Sequence, residues 1–509
     1  MSGVAQSVSP LILALQNPTV YPHPVDTVHV METHISWIIL TGKIAYKIKK
    51  PVHFNFVDFS TPEKRQYYCE EELKLNKACA APIYKAVVPL YGSATSPSFI
   101  SNGKPPFEYA VQMQEFSQEA LLLPLLSHLD VTEQTLLINK VAAYLSDFHQ
   151  QCPYAPPFSP YGDPNHTVYQ PIQDNIADIQ RFSTDQNIQD TNARIAAWSE
   201  QQYTALLPLF SDRKADAFVR HCHGDLHLDN ILSINGVIYC FDRLEFNLEL
   251  QWIDVMSDLA FLLMDLEFHG FKILSHSLLN AYMNYSHDYD GLPLLIFYKA
   301  YRAMVRAKIA LLASPPKTAE TQAYLDYTDR LIQQSTPQLI LTHGFSGSGK
   351  SQLSTALAPH LSCIVLRSDI YRHNKRFKRV ETDPAYTQEH INAVYEGLFT
   401  LTDSLLKQGQ NVWVDATFLK QSHRDKFISL AENIKISWAI VDVQAPYALL
   451  SERLAKRPLS EATVQVLEQQ ISQHDPLTLK EKTHAVTVDM GTQTSNNILI
   501  TRLQEALSR

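Results

Sequence analysis

The chain has 509 residues, too many for one hydrophobic core, so about two to four domains are expected. At 45% apolar and 19% charged it is globular, and its 15 glycines exclude collagen-like and Gly-linker architectures. Lys plus Arg total 43 against 52 Asp plus Glu, and the net charge of −9 disfavours a broad basic nucleic-acid surface while leaving a local basic channel open.

Six Cys stand at positions 69, 79, 152, 222, 240 and 363 without a Cys-x-x-Cys pair. That spacing predicts free thiols in a reducing compartment, with no disulfide framework and no Cys-rich zinc site. The run Leu11 to Leu15 is too short for a signal-peptide core. Val255 to Leu266, the best candidate for a membrane span, is broken by Asp258 and Asp265. A soluble cytoplasmic protein with no membrane association is expected.

Three β-like runs come first, Val28–Met31, Ser36–Leu40 and Ile44–Ile48, with Thr41-Gly42 turning between the last two. A helix should start near Ser60-Thr61-Pro62, capped by Ser or Thr, and it carries Glu70, Glu71 and Glu72. Residues 84–91 and 107–113 read as strands. From about 119 the spacing turns helical, as in Leu121–Leu126 and Leu136–Phe148. A β segment, Val237–Phe241, interrupts it, and helices resume from 250 to about 334. Ser335-Thr336-Pro337 then breaks the pattern, which sets a domain boundary. Strands at 339–342, 363–366, 411–414 and 437–442 alternate with helical segments, the signature of a parallel α/β sheet.

His223-Gly224-Asp225-Leu226-His227-Leu228-Asp229-Asn230 has the spacing H-x-D-x-x-x-x-N, and Asp242 follows the strand 237–241. Phosphoryl transfer needs these parts: Asp225 to accept a hydroxyl proton, and Asn230 and Asp242 as hard oxygen ligands for Mg²⁺. A cation must meet the nucleotide phosphates. Ala45-Tyr46-Lys47 supplies Lys47, with Lys49 on the same strand face as its rival. A helical Glu should pair with that lysine, Glu72 first and Glu71 next. Thr33, His34 and Ser36 replace a Gly-rich loop as phosphate donors. Zinc binding by His221, His223 and His227 lacks a regular spacing. His149 reads as a satisfied helix-end histidine.

Residues 25–335 resemble the kinase-like fold of aminoglycoside phosphotransferases, which use His-Gly-Asp and lack the Gly-rich loop. The resemblance implies an N-lobe at about 25–118 and a C-lobe at about 119–335. It makes Asp254 and Asp258-Leu259-Ala260 a supporting helical element. It also implies that the acceptor is a small alcohol, with no commitment to antibiotics.

Gly344-Phe345-Ser346-Gly347-Ser348-Gly349-Lys350-Ser351 is a complete G-x-x-x-x-G-K-S loop between a strand and a helix. Its backbone N–H groups would cradle phosphates, Lys350 would reach the β/γ-phosphates and Ser351 would bind Mg²⁺. Asp369 ends a strand as a candidate base, with Arg372 for an anion on the acceptor. Asp415, followed by Thr417, is a Walker-B-like Mg²⁺ residue or a second base. Arg453 or Arg457 is a candidate lid arginine on the transferring phosphoryl group, and a solvated helix face is its rival. This half resembles P-loop kinases of the polynucleotide 5′-kinase and zeta-toxin type.

The whole chain resembles a bacterial two-domain family that joins an aminoglycoside-phosphotransferase-like domain, 1–335, to a P-loop kinase or AAA-type domain, 336–509. The expected fold is a bilobal α+β kinase-like domain followed by an α/β P-loop domain with a parallel sheet. The expected function is an ATP- and Mg²⁺-dependent phosphotransferase with two nucleotide sites, acting on small-molecule hydroxyl acceptors. Two alternatives stay open. One domain would sense nucleotide and regulate the other. Or the P-loop half would act on nucleic-acid or nucleotide-sugar hydroxyls, guided by Arg367, Arg372, Lys375, Arg376, Lys378 and Arg379.

Overall fold

The computed structural model describes residues 9–54, 57–333, 336–372, 388–456, 463–492 and 494–509. They fall into two compact units. One comprises Met1–Asp130, Phe148–Asp265 and Tyr301–Leu325; the other comprises Val131–Asp147, Leu266–Ala300 and Asp326–Arg509. Each unit is therefore assembled from separated stretches of chain, and part of the helical region before 335 groups with the C-terminal sheet.

The first unit opens with an antiparallel sheet. Its strands lie in the order His29–Glu32, Ser36–Leu40, Ile44–Lys49, Glu108–Gln114, Tyr84–Ser93 and Ser96–Ser98. Alternation along Ile44–Lys49 sends Tyr46 and Ile48 into an apolar cluster with Leu11, Ile12, Leu15 and Tyr21. Lys47 and Lys49 consequently face the other side. There the helix Pro62–Ala80 presents Cys69, Glu72, Asn76 and Ala80 at helical spacing, all buried. Thr61 caps that helix, accepting from the Lys64 N–H at 3.3 Å, with Pro62 in its first turn.

Beyond the sheet this unit is mostly helical. Its His223–Asn230 segment lies between two small antiparallel pairs. Val219–His221 pairs with Trp252–Asp254, and Ile231–Ile234 pairs with Val237–Cys240. The second pair is a two-residue hairpin turning at Asn235-Gly236, both with positive φ (52° and 77°), the signature of a type I′ turn. The topology is that of a kinase-like α+β fold.

The second unit holds five parallel strands in the order Cys363–Arg367, Asn411–Asp415, Gln338–His343, Ser437–Gln444 and Ala485–Asp489. Its first strand in sequence is central, flanked by the third and fourth. That creates a topological switch point where loops diverge at the strands' carboxyl ends. Ile340, Trp413, Val441 and Leu503 pack in its core. This is a P-loop α/β architecture. Among the described residues no helix is long and apolar enough to cross a membrane.

Candidate active sites

In the kinase-like unit the His-Gly-Asp loop is fixed from below. Asp258, buried at the start of the helix Val255–Phe268, accepts from the backbone N–H groups of His223 (2.8 Å) and Gly224 (3.0 Å). His149 Nε2 lies 3.4 Å from the same carboxylate, so this histidine is a buried structural partner. His149, Cys222 and Asp258 place ligand-type atoms within 4.8 Å of one another. Asp258 is already committed to two N–H donors, which marks the trio as structural. Asp254 pairs with the buried Arg213, its Oδ1 2.8 Å from Arg213 Nη2.

The loop itself explains its sequence. Gly224 has φ +86°, and a Cβ there would lie 2.8 Å from the Leu250 carbonyl oxygen, so a side chain is excluded twice over. His223 Nε2–H donates to the Phe241 carbonyl at 2.8 Å, while its Nδ1 accepts from the Asp225 N–H at 3.3 Å. That arrangement requires the neutral ring, and burial lowers its pKa accordingly. The three candidate zinc histidines do not converge. His221 bonds Gln251 at 2.6 Å, His223 bonds backbone and His227 turns to Asp225.

Asp225 keeps 37% of its side chain exposed. Burial raises its pKa, but His227 and Arg306 outweigh that and hold the carboxyl below the usual range. His227 Nε2 lies 3.5 Å from Asp225 Oδ2. Burial works against charging His227, yet Asp225 raises its pKa overall. Asn230 Nδ2 donates to the Asp225 carbonyl (2.9 Å) and carboxylate (3.3 Å). The hairpin then brings Asp242 alongside, because the Phe241 N–H donates to the Asn230 carbonyl at 3.0 Å. Asp242 adopts φ +62° and donates its N–H to the Tyr84 hydroxyl at 3.1 Å.

The two candidate lysines divide the work. Lys47 Nζ lies 2.9 Å from Glu72 Oε1 and also pairs with Asp242. Lys49 is 1% exposed; it lies 2.8 Å from Glu72 Oε2, pairs with Glu245, and sits 4.9 Å from the Phe59 ring centroid. Lys47 is therefore the lysine at the Asp242 edge and Lys49 the one behind it. Glu72 is buried, which raises its pKa, but two lysines hold it down to about 2. Glu245 has one shared lysine and the Glu72 charge nearby, and burial pushes its carboxyl up. Glu71 points elsewhere, to Lys74 at 3.3 Å.

One expectation needs correction. Thr33 and Ser36 close a turn on each other, through Thr33 N–H to Ser36 O (2.9 Å) and Ser36 N–H to Thr33 Oγ1 (3.0 Å). Ser36 is also fully buried, so neither backbone donor is offered to a phosphate. Glu245 escaped the sequence reading, although it stands three residues after Asp242.

In the P-loop unit Gly344 has φ +143°, and a Cβ there would lie 2.4 Å from the Val443 carbonyl oxygen. Lys350 Nζ donates to the Phe345 carbonyl at 2.8 Å, curling over the loop. Arg453 Nη1 reaches the carbonyls of Gly347 (3.2 Å) and Ser348 (3.3 Å). Gly347, Gly349, Lys350, Ser351, Gln352 and Arg453 line a cavity of about 210 Å³. Gln470 clamps Ser346, accepting its N–H and donating to its hydroxyl, both at 3.0 Å. No local motif announces that glutamine.

Asp415 is buried beside this loop and accepts from Ser354 Oγ at 3.1 Å. Burial pushes its carboxyl up, against the pull of Ser351 and Lys350. Arg367 connects the two carboxylates, 2.8 Å from Asp369 and 3.8 Å from Asp415. Arg424 is fully buried and paired with Glu481 at 2.6 Å, a structural ion pair. Arg457 and the basic positions Lys375, Arg376, Lys378 and Arg379 lie outside the described residues.

A family model described as an AAA domain matches residues 339–477. An aminoglycoside phosphotransferase solved with GDP and kanamycin aligns at TM-score 0.40 and 13% identity, over 63% of this chain and 98% of that one. A gluconokinase from Sinorhizobium meliloti aligns at TM-score 0.28 and 20% identity, over 35% of this chain and 94% of that one. Both scores are low, and the fold assignment stands on the chain's own topology. An uncharacterized protein of Mycobacterium tuberculosis is 30% identical over 410 residues, which is 78% of this chain and 80% of the relative. The chain belongs to the family of that mycobacterial protein, and within it residues 339–477 of this chain match the AAA-domain model.

Proposed function

We propose that the chain is an ATP- and Mg²⁺-dependent phosphotransferase with two nucleotide sites, each moving the γ-phosphoryl group of ATP to the hydroxyl of a small molecule. The observation that carries this reading is Lys47, joined at once to Glu72 and Asp242 in the unit where Asn230 leans on Asp225. Lys47, held by Glu72, would meet the α/β-phosphates. Asp225, kept ionised by His227, would take the proton of the attacking hydroxyl. Asn230 spends its amide nitrogen on Asp225, which leaves its amide oxygen as a hard ligand, and the Asp242 carboxylate would be the other. That donor set fits Mg²⁺, whose role is to neutralise phosphate charge.

In the P-loop unit, Lys350 and the loop N–H groups would bind the phosphates, with Ser351 and Asp415 as the Mg²⁺ residues. Asp369 would act as base and Arg453 as the lid arginine. A second reading has its own support. Asp369 is tied to Arg367 and Arg453 to loop carbonyls, so the P-loop unit would bind nucleotide and regulate its neighbour. Six free cysteines suit a cytoplasmic setting.

The test is turnover of radiolabelled ATP by the intact protein, Asp225→Ala and Lys350→Ala, with labelled products resolved from a metabolite pool. Loss of a different product in each variant supports two kinase sites. Loss in Asp225→Ala alone supports the regulatory P-loop. Unchanged product formation in Asp225→Ala overturns the kinase-like assignment.

A further inference from the structure

The kinase-like unit holds a cation that phosphoryl transfer from ATP does not itself require. Arg306 lies on the helix Leu295–Leu312, one turn beyond Arg302. Arg302 is buried and donates to the Gly224 carbonyl at 2.9 Å and to the Ser257 hydroxyl at 3.1 Å. This ties the helix face to the residue that precedes Asp225. Residues four apart share a helix face, so Arg306 is presented toward the same loop.

Arg306 is half-buried, with its guanidinium 6.0 Å from the Tyr324 ring centroid. Among the described residues no carboxylate lies within ion-pair distance of it. Its charged neighbours are Asp265 and Asp225, and it is one of the cations that hold Asp225 ionised. Around Lys47 the carboxylates are instead Asp242, Glu72 and Glu245. Arg306 is thus carried by the helix that Arg302 ties to Gly224, whereas Lys47 is carried by the sheet strand Ile44–Lys49 and pairs with Asp242. Tyr324 takes a hydrogen bond from this guanidinium, which carries five N–H donors, so donors remain for an anionic ligand.

We propose that Arg306 is the anion-binding residue of the acceptor site, so that the hydroxyl compound phosphorylated in this unit carries a phosphate or carboxylate of its own. The proposal rests on the reading of Asp225 as base. The acceptor oxygen bonds to the γ-phosphorus as the bond to the bridging oxygen breaks. Asp225 takes the hydroxyl proton, and ADP leaves with the bonding pair. The acceptor's anion stays on Arg306 and takes no part in bond exchange. A polycationic acceptor would set ammonium groups against the guanidinium, which disfavours it.

The test uses full-length protein carrying Lys350→Ala, so that the P-loop no longer competes for phosphate. Arginine labelling by phenylglyoxal is read at Arg306 by mass spectrometry of its peptide. The probes are Mg²⁺ with the non-hydrolysable analogue AMPPNP, inorganic phosphate, glycerol 3-phosphate and glycerol. With saturating AMPPNP, phosphate and glycerol 3-phosphate are expected to slow labelling at least tenfold. Glycerol and AMPPNP alone should leave it unchanged. Protection by AMPPNP alone would assign Arg306 to the γ-phosphate and overturn the proposal. Protection by neither anion, or equal protection by glycerol, overturns it as well. Failure of the underlying reading looks different: transfer activity would survive Asp225→Ala, whatever the labelling pattern.

Discussion

The P-loop unit and the kinase-like unit both set a lysine and carboxylates where nucleotide phosphates would lie, but over different distances along the chain. The P-loop gathers its lysine and its backbone N–H groups within Gly344–Ser351, and only Asp415 comes from farther along the chain. The kinase-like unit joins Lys47 to Asp242 across 195 positions and Lys49 to Glu245 across 196. A contiguous loop carries its electrostatics in backbone geometry. A dispersed site carries them in buried charges that depend on each other for solvation. The first should therefore fail locally, and the second cooperatively.

That contrast can be broken or sharpened by substitution. The largest effect is expected for Asp225→Asn, which removes the base while preserving shape. Transfer in the kinase-like unit should fall by roughly 10²–10⁴-fold, with AMPPNP affinity retained, when measured in a Lys350→Ala background. Activity within tenfold of the parent would remove Asp225 from the chemistry.

Lys49→Met comes next. It leaves Glu245 and part of Glu72 buried without their cation, and should cost about 3–5 kcal/mol in denaturant unfolding of the full chain. Lys47→Met should cost less, because its partner Asp242 is 37% exposed, yet it should abolish nucleotide binding in that unit. Equal stability losses from the two variants would erase the division drawn between front and rear lysines.

Gly344→Ala should act on the other unit alone. A Cβ pressed toward the Val443 carbonyl at φ +143° implies strain of about 1–3 kcal/mol. Nucleotide binding by the P-loop should fall while transfer by the kinase-like unit persists. Loss of both activities would show that the units are coupled.

The smallest effect concerns His227. Its folded pKa is raised above the ordinary 6.5 by Asp225, so its stabilisation is complete below that value and lost as pH rises through the folded pKa. The melting-temperature gap between the parent and His227→Gln should be widest below the ordinary value of 6.5 and narrow as pH rises above it. A gap independent of pH would mean that the ring contributes packing alone.

Much of this architecture was legible in order. The strands at 36–40 and 44–49, the capped helix at 62 and the alternation after 337 follow from local periodicity and capping chemistry. The hairpin strand Ile231–Ile234 was missed, although Asn235-Gly236 is a strong turn signal and would have paired it with Val237–Cys240. The strand Ala485–Asp489 was missed as well. Its burial alternates at the sheet edge, and it lacks the continuous apolar run of a central parallel strand. Arg424 could not be told from a solvated or catalytic arginine, because its partner Glu481 lies 57 positions away.

By itself the sequence determined the contiguous chemistry. The P-loop and the His-Gly-Asp loop with Asn230 are set by residues a few positions apart, whereas the carbonyls that exclude a side chain at Gly224 and Gly344 come from Leu250 and Val443. Only the tertiary structure decided which lysine faces Asp242, that Glu245 neutralises the other, that Arg367 spans Asp369 and Asp415, and that Arg306 adds to the positive charge acting on Asp225. These are properties of charges brought together from distant stretches of chain. Their energies depend on burial and separation, which strand alternation restricts to one sheet face and only the folded packing resolves.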